Sequence, residues 1–171
     1  MTQTSPSIQD LYRNLERNVA STFKRIREWK KLSEGEDDVF KRFIFRWISF
    51  NGLYNAYYEN KGLEGDPERR IIEKFCNDFV SGELASEIIK SAAVSNFEKN
   101  IKDESRSMGK DLNKLKNKSL PEDKRAKAAV MVAYKIRCRL FHGEKNPDLD
   151  VNREVCEAAD LIISKVLEKI L

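Results

Sequence analysis

The sequence predicts an all-α protein, a helical bundle of about five or six helices, and two observations lead to that prediction. Apolar residues recur at the three-to-four-residue spacing of a helix along nearly the whole chain, whereas no run alternates strictly enough for a β-strand. The length of 171 residues suits one domain that buries a substantial core. We therefore expect a single helical domain over residues 1–171.

The first two predicted helices carry the clearest apolar patterns. Ser7 is the predicted N-cap of a first helix. Its apolar stripe consists of Ile8, Leu11, Tyr12, Leu15, Val19, Phe23 and Ile26. A long second helix opens after the acidic run at 36–38, which suits the positive end of the helix dipole. Its large apolar residues cover several faces, so this helix should lie at the centre of the core: Val39, Phe40, Phe43, Ile44, Trp47, Ile48, Leu53, Tyr54 and Tyr57.

The middle of the chain gives weaker signals. Asp66 is the predicted N-cap of a third helix that begins at Pro67. The inward residues of this helix are Ile71, Phe75 and Phe79. Residues 84–93 and 94–101 are also predicted to be helical. The polar, lysine-rich segment at about 102–120 is predicted to be a flexible excursion from the bundle.

Two helices are predicted for the last third of the chain. The first follows Pro121 and ends at Gly143, a residue that readily adopts the left-handed conformation of a helix terminus. Asp150 or Asn152 is the predicted cap of the final helix. The inward residues of the two helices are Ala128, Ala129, Val132, Ala133, Ile136 and Leu140, and then Val155, Ala159, Ile162, Val166 and Ile170.

Composition and missing motifs exclude several classes of protein. No run approaches the roughly 18 apolar residues of a membrane span, and the first residues lack a signal-peptide pattern. The scattered cysteines, Cys76, Cys138 and Cys156, form no C-x-x-C pair and indicate a reducing, cytoplasmic location. The chain has no glycine-rich phosphate loop, and one histidine cannot build a multi-histidine metal site. We expect no metal and no cofactor, while the net charge of +4 permits an anionic partner.

The stretch "YKIRCRLFHGEKNP" contains His142, the only histidine, five positions after Arg137. On an ideal helix, five steps separate two side chains by about 140°. The two side chains therefore converge only if the last turn loosens or if a second protomer supplies a partner. An alternative stays open, because the dipole alone stabilises a histidine at a helix C-terminus and such an arginine is often a surface ion-pair residue.

The segment "IRCRLFHGEK" resembles the R-x4-6-H motif of HEPN domains, a family named for nucleotide binding in higher eukaryotes and prokaryotes. The segment "FIFRWISFNGLYNAYY" is similar to the aromatic second helix of some prokaryotic branches. HEPN domains are helical bundles in which the motif ends a late helix that one more helix follows. The resemblance covers the second helix and the last two, and Cys138 stands where active members usually carry Asn, Asp or His.

This resemblance implies a function on RNA. Many HEPN domains are metal-independent ribonucleases that pair two motifs across a homodimer, and others bind RNA or a partner without cutting. Arg137 and His142 match the motif, so His142 would transfer protons and Arg137 would hold phosphate charge. Asn51 would orient the histidine or bond the substrate, or else satisfy a backbone group in the core. Arg139 would extend the phosphate contact or only flank the motif.

Three functional hypotheses follow for the chain. The first is a dimeric endoribonuclease, a toxin or antiviral defence component with a nucleotidyltransferase-type antitoxin as a partner. The second is an RNA-binding module that does not cut, and the third is a helical protein-interaction module. Four lysines of the polar segment would lie along an RNA backbone, unless they only solvate a loop: Lys110, Lys114, Lys116 and Lys118.

Overall fold

The computed structural model of the chain describes residues 10, 13, 15, 17, 19–62, 65–102 and 106–171. Over these residues it is helical and contains no strand, which confirms the all-α prediction. Eight helices lie within the described ranges: α1 Ala20–Glu34, α2 Val39–Asn60, α3 Glu68–Phe79, α4 Gly82–Ile89, α5 Ala92–Asn100, α6 Arg106–Lys116, α7 Glu122–Phe141 and α8 Asp150–Ile170. None of these eight is both long enough and apolar enough to cross a bilayer.

Helix α2 is the central helix of the core, as its sequence predicts. It packs against α1, α3 and α8, and Phe43, Trp47 and Phe50 are almost fully buried. Successive rings meet edge to face, with 5.3 Å between the centroids of Trp47 and Phe50. Asp38 caps the helix by accepting a hydrogen bond from the Lys41 N–H at 3.0 Å. The acidic run before the helix therefore acts as a helix start.

Helix α1 begins at Ala20, although the described residues 10, 13, 15 and 17 before it are also helical. Val19 is its N-cap, and the predicted cap at Ser7 lies outside the described residues. Leu15, Phe23 and Ile26 are buried as predicted. The Ser49 hydroxyl of α2 donates to the Ile26 carbonyl at 2.8 Å, which ties the two helices together.

The starts and ends of α3 to α5 differ from the predictions. The N-cap of α3 is Pro67, and Asp66 instead pairs with Lys74 at 2.6 Å. This ion pair lowers the pKa of the Asp66 carboxyl. Helix α4 ends at Ile89, because the chain turns where the Ser91 hydroxyl donates back to the Ile88 carbonyl. The boundary predicted between residues 93 and 94 was therefore a few residues too late.

The prediction of a flexible excursion at about 102–120 was wrong for the greater part of this segment, which forms α6. Met108, Leu112 and Leu115 are buried on one face of the helix. Asp111 is also buried and receives both terminal nitrogens of Arg69 from α3, at 3.0 and 2.9 Å. The apolar spacing of a helix was present in the sequence, but three residues among many lysines gave a weak pattern. Because this helix was not predicted, the predicted number of about five or six helices is lower than the eight found in the described ranges.

Helices α7 and α8 pack side by side and carry the predicted apolar faces. Gly143 ends α7 with a φ of 71°, as expected for a left-handed glycine. The N–H groups of Gly143 and Glu144 bond back to the carbonyls of Leu140 and Arg139, at 3.1 and 2.9 Å. The predicted cap of α8 was wrong: Leu149 is the N-cap without a side-chain bond, and Asn152 donates instead to the Asn146 carbonyl.

Candidate functional site

Arg137 lies in the last turns of α7 and is held from three sides. Its guanidinium carbon is 5.6 Å from the ring centroid of Trp47 and 4.9 Å from that of Phe141. One terminal nitrogen donates to Glu68 Oε2 at 3.1 Å. Its side chain keeps 23% of its surface exposed, and its buried Nε has no hydrogen-bond partner among the described residues. Two rings and one carboxylate thus fix the direction of the guanidinium.

Glu68, the first residue of α3, belongs to a larger polar network. Its Oε1 accepts a hydrogen bond from the Tyr54 hydroxyl at 2.6 Å. The Asn51 amide donates to the Tyr54 hydroxyl and lies 3.5 Å from Glu68 Oε1, and Asn55 donates to Asn51 at 3.2 Å. Burial, followed by the bond to Glu68, raises the pKa of Tyr54, so its phenol remains a donor at neutral pH. Asn51 is therefore joined to Arg137 through Glu68.

His142 has different surroundings. It is the C-cap of α7, and its backbone N–H donates to the Cys138 carbonyl at 3.0 Å. Its side chain is exposed. Within the described part of the chain, no hydrogen bond or ion pair of the imidazole is found, including any bond to Asn51 or Arg137. The predicted role of Asn51 in orienting the histidine thus has no contact to support it in one protomer.

Cys138 and Tyr134 lie one turn apart on α7. Cys138 is half-buried and forms no disulfide. Burial, then a hydrogen bond with Cys138, raises the pKa of the Tyr134 hydroxyl. The cysteine at this motif position therefore contacts a neutral phenol within its own helix.

Arg139 lies on the side of α7 that leads to His142, because residues three positions apart are neighbours on a helix surface. Its Nε is 3.6 Å from Glu144 Oε2. Together with Lys102 and Lys145 it lines an open groove between the ends of α5, α7 and α8. Arg139 and Arg137 thus pair with different carboxylates, Glu144 and Glu68.

The four predicted RNA-binding lysines are exposed, and the last three of them lie far from the motif: Lys110, Lys114, Lys116 and Lys118. The Arg125 guanidinium donates to the Leu115 carbonyl at 2.9 Å, which places the end of α6 beside the first turn of α7. From Arg125 to His142 the helix extends about 25 Å. The structure therefore does not bring the last three lysines together with Arg137 and His142.

Several residues of the site were missed by sequence reasoning. Glu68 is separated from Arg137 by 69 positions, and only the packing of α3 on α7 brings them together. Tyr54 and Trp47 were predicted as core residues, and they are, but their positions next to Glu68 and Arg137 have no sequence signal. Phe141, adjacent to the histidine, was the nearest available hint, since an aromatic residue next to a cation is a common stacking partner.

Comparisons with known proteins assign no family: no family model matches the chain, and neither a curated protein nor a solved structure shows significant similarity. The HEPN resemblance therefore depends on the motif and the order of the helices. Among the described residues, no group of three or more His, Cys, Asp or Glu side chains could hold a metal ion.

Proposed function

We propose that the chain is a HEPN-type RNA endonuclease that acts as a homodimer, needs no metal ion and uses Arg137 and His142. One observation carries the proposal. An exposed imidazole without a polar partner in the described residues lies at the same helix end as a guanidinium that Glu68, Trp47 and Phe141 hold in place. A proton-transfer group and a fixed cation are the two components that metal-free RNA cleavage requires.

The reaction follows from these two groups. His142 accepts the proton of an RNA 2′-hydroxyl, whose oxygen attacks the neighbouring phosphorus. The bond from phosphorus to the 5′-oxygen breaks, and an imidazolium returns a proton to that oxygen. The products are a 2′,3′-cyclic phosphate and a 5′-hydroxyl. Arg137 stabilises the negative charge that accumulates on the phosphoryl oxygens.

A two-fold dimer completes the site in this proposal. Arg137 and His142 would be about 140° apart on an ideal helix, so a second motif across a two-fold axis supplies the missing partner. Phe141 is 58% exposed next to His142, and a dimer interface would cover this apolar ring. The roles of cytoplasmic toxin or antiviral component, and of a nucleotidyltransferase-type antitoxin as partner, follow from the resemblance alone.

The second candidate is a HEPN-type module that binds RNA or a protein partner without cutting. The pairing of Glu68 with Arg137 favours it, because a carboxylate already occupies part of the guanidinium that a scissile phosphate would need. Under the third hypothesis, a module that binds only proteins, neither the native chain nor any variant would bind RNA.

Two alanine variants separate these candidates. His142→Ala should lower RNA cleavage by about 10²–10⁴-fold and leave RNA affinity nearly unchanged. Arg137→Ala should reduce cleavage and affinity together, because it removes the phosphate contact. Cleavage and filter binding are measured on the same RNA, and thermal melting checks that both variants fold. RNA binding without any histidine-dependent cleavage would support the second candidate and contradict the first.

A further inference from the structure

A pocket of about 470 Å³ opens between α3, α6 and α7, which we call the α3–α6–α7 pocket. Its volume lies in the range of small-molecule sites. The α7 residues that line it lie in the first half of that helix, so neither Arg137 nor His142 belongs to the pocket. It does not depend on the function proposed above.

The floor of the pocket is apolar. Ala128 and Met131 from α7 and Cys76 from α3 line it, and all three are almost fully buried. Burial raises the pKa of the Cys76 thiol to about 12, so this cysteine is a neutral part of the floor. Leu120, which precedes α7, adds a half-buried apolar side chain. Such a floor suits an apolar or flat aromatic body.

The lysines of the rim are the unusual feature. Lys114 from α6 and Lys124 and Lys127 from α7 all line the pocket. None of the three forms an ion pair with a described residue. Three ammonium groups around one concave site create a positive potential that attracts an anion.

The two carboxylates of the pocket share one cation, Arg69. Asp111 receives both terminal nitrogens of Arg69, and Glu73 accepts from the Arg69 Nε at 3.0 Å. The hydrogen bond with Asp111 raises the pKa of Arg69, which keeps this cation charged. Arg69 therefore binds both acidic groups but offsets only one of their two negative charges, so the three lysines still leave the pocket with a net positive charge. Asn77 contributes one further polar side chain.

We propose that the α3–α6–α7 pocket binds a small organic anion, in which an acidic group meets the lysines and an apolar or aromatic body rests on the floor. The shared chemistry is one carboxylate, sulfonate or phosphate attached to a body of a few hundred cubic ångströms. Part of the lysine-rich segment at 110–118 then serves this pocket, since Lys114 belongs to it.

An anilinonaphthalene sulfonate is a suitable probe, because it combines a sulfonate with a flat apolar body and fluoresces in apolar sites. Titration of the native full chain should show saturable binding of one probe per chain. The double variant Lys124→Gln/Lys127→Gln removes two of the three ammonium groups and should weaken that binding by about tenfold or more, since one charge-assisted contact alone corresponds to about tenfold. The matched variant Lys24→Gln/Lys90→Gln removes two exposed lysine charges elsewhere and should bind as the native chain does.

Three results decide the proposal. Saturable binding that only the pocket variant weakens supports it, and inorganic sulfate should then compete poorly, because it lacks the apolar body. Binding that both double variants weaken equally would overturn it, since net charge alone would explain the effect. Absence of saturable binding to the native chain would also overturn it. Thermal melting of each variant shows whether lost binding reflects lost folding.

Discussion

Glu68 influences Arg137 through one hydrogen-bonded ion pair at the edge of the core. The pair is partly exposed, with 23% and 32% of the two side chains accessible, so solvent screens it and it contributes only about 0–1 kcal/mol to stability. The negative charge of Glu68 affects ligand binding at Arg137 more than it affects stability. A phosphate that approaches Arg137 must share the guanidinium with this carboxylate.

Glu68→Gln should therefore raise RNA affinity several-fold. Glutamine keeps one acceptor oxygen, for either Arg137 or Tyr54, in place of the two carboxylate oxygens that these donors use, and it removes the negative charge that opposes a phosphate. Glu73→Gln is the control, because Glu73 lies on the same helix, bonds Arg69 rather than Arg137, and loses the same charge. Equal affinity gains in both variants would indicate a general charge effect, and weaker binding in Glu68→Gln would show that the charge itself positions Arg137.

Trp47 lies at the centre of the core, and its ring contacts the Arg137 guanidinium of the candidate site. Its ring contacts Phe43, Phe50 and Tyr134, and the Arg137 guanidinium lies over it. Trp47→Ala should lower the free energy of unfolding by about 3–5 kcal/mol, because the cavity cannot fully collapse. Trp47→Phe keeps most of the ring and should cost clearly less. Chemical denaturation measures both, and a loss below about 1 kcal/mol for alanine would contradict the central position of this residue.

At the scale of elements, α6 packs most of the lysine-rich segment onto the bundle through its buried apolar face. Leu112→Ala should cost about 2–5 kcal/mol of unfolding free energy, because Leu112 is 3% exposed in the face that packs on α7. Asn113→Ala, at the adjacent exposed position, should change stability by less than about 0.5 kcal/mol. Denaturation curves of the two variants provide the test. Equal, negligible effects would mean that the segment contributes no packing, as a flexible excursion would.

The helices differ in how much of their position and of their ends the sequence predicts. Helix α2 was predictable because large apolar residues repeat on several faces, and the end of α7 was predictable because Gly143 follows the last apolar turn. Caps were harder: Asp38 caps α2 as expected, whereas Asp66 forms an ion pair with Lys74 instead of capping α3. Lys74 lies in α3 itself, eight positions after Asp66. An ion pair with a side chain further along the same helix thus competes with local capping, and the sequence does not show which of the two the carboxylate forms.

The same limit applies to the candidate site. Arg137 and His142 could be selected from local spacing and from the R-x4-H motif. Glu68 could not, because its contact with Arg137 exists only after α3 and α7 have packed together. The separation of the last three predicted lysines from the motif has the same cause, since it depends on the end of α6 packing beside the first turn of α7.

For the whole molecule, we expect a homodimer. Light scattering should give the mass of two chains at tens of micromolar chain, a concentration at which a dimer of moderate affinity is largely formed. Phe141→Glu should shift the mass toward one chain, because it places a charge in the proposed interface. Leu32→Glu, which replaces a 50% exposed leucine on α1, should leave the dimer intact. A native chain that remains monomeric at this concentration would contradict the two-motif site.

RNA cleavage in the presence of EDTA tests the central claim most directly. Purified chain is incubated with mixed single-stranded RNA and chelator, beside the His142→Ala variant, and the new RNA ends are analysed. We predict chelator-resistant cleavage that leaves 2′,3′-cyclic phosphate and 5′-hydroxyl ends and that the variant loses almost completely. Cleavage of equal rate in both proteins, or intact RNA after incubation with the folded native dimer, would contradict the assignment of His142 as the proton-transfer group.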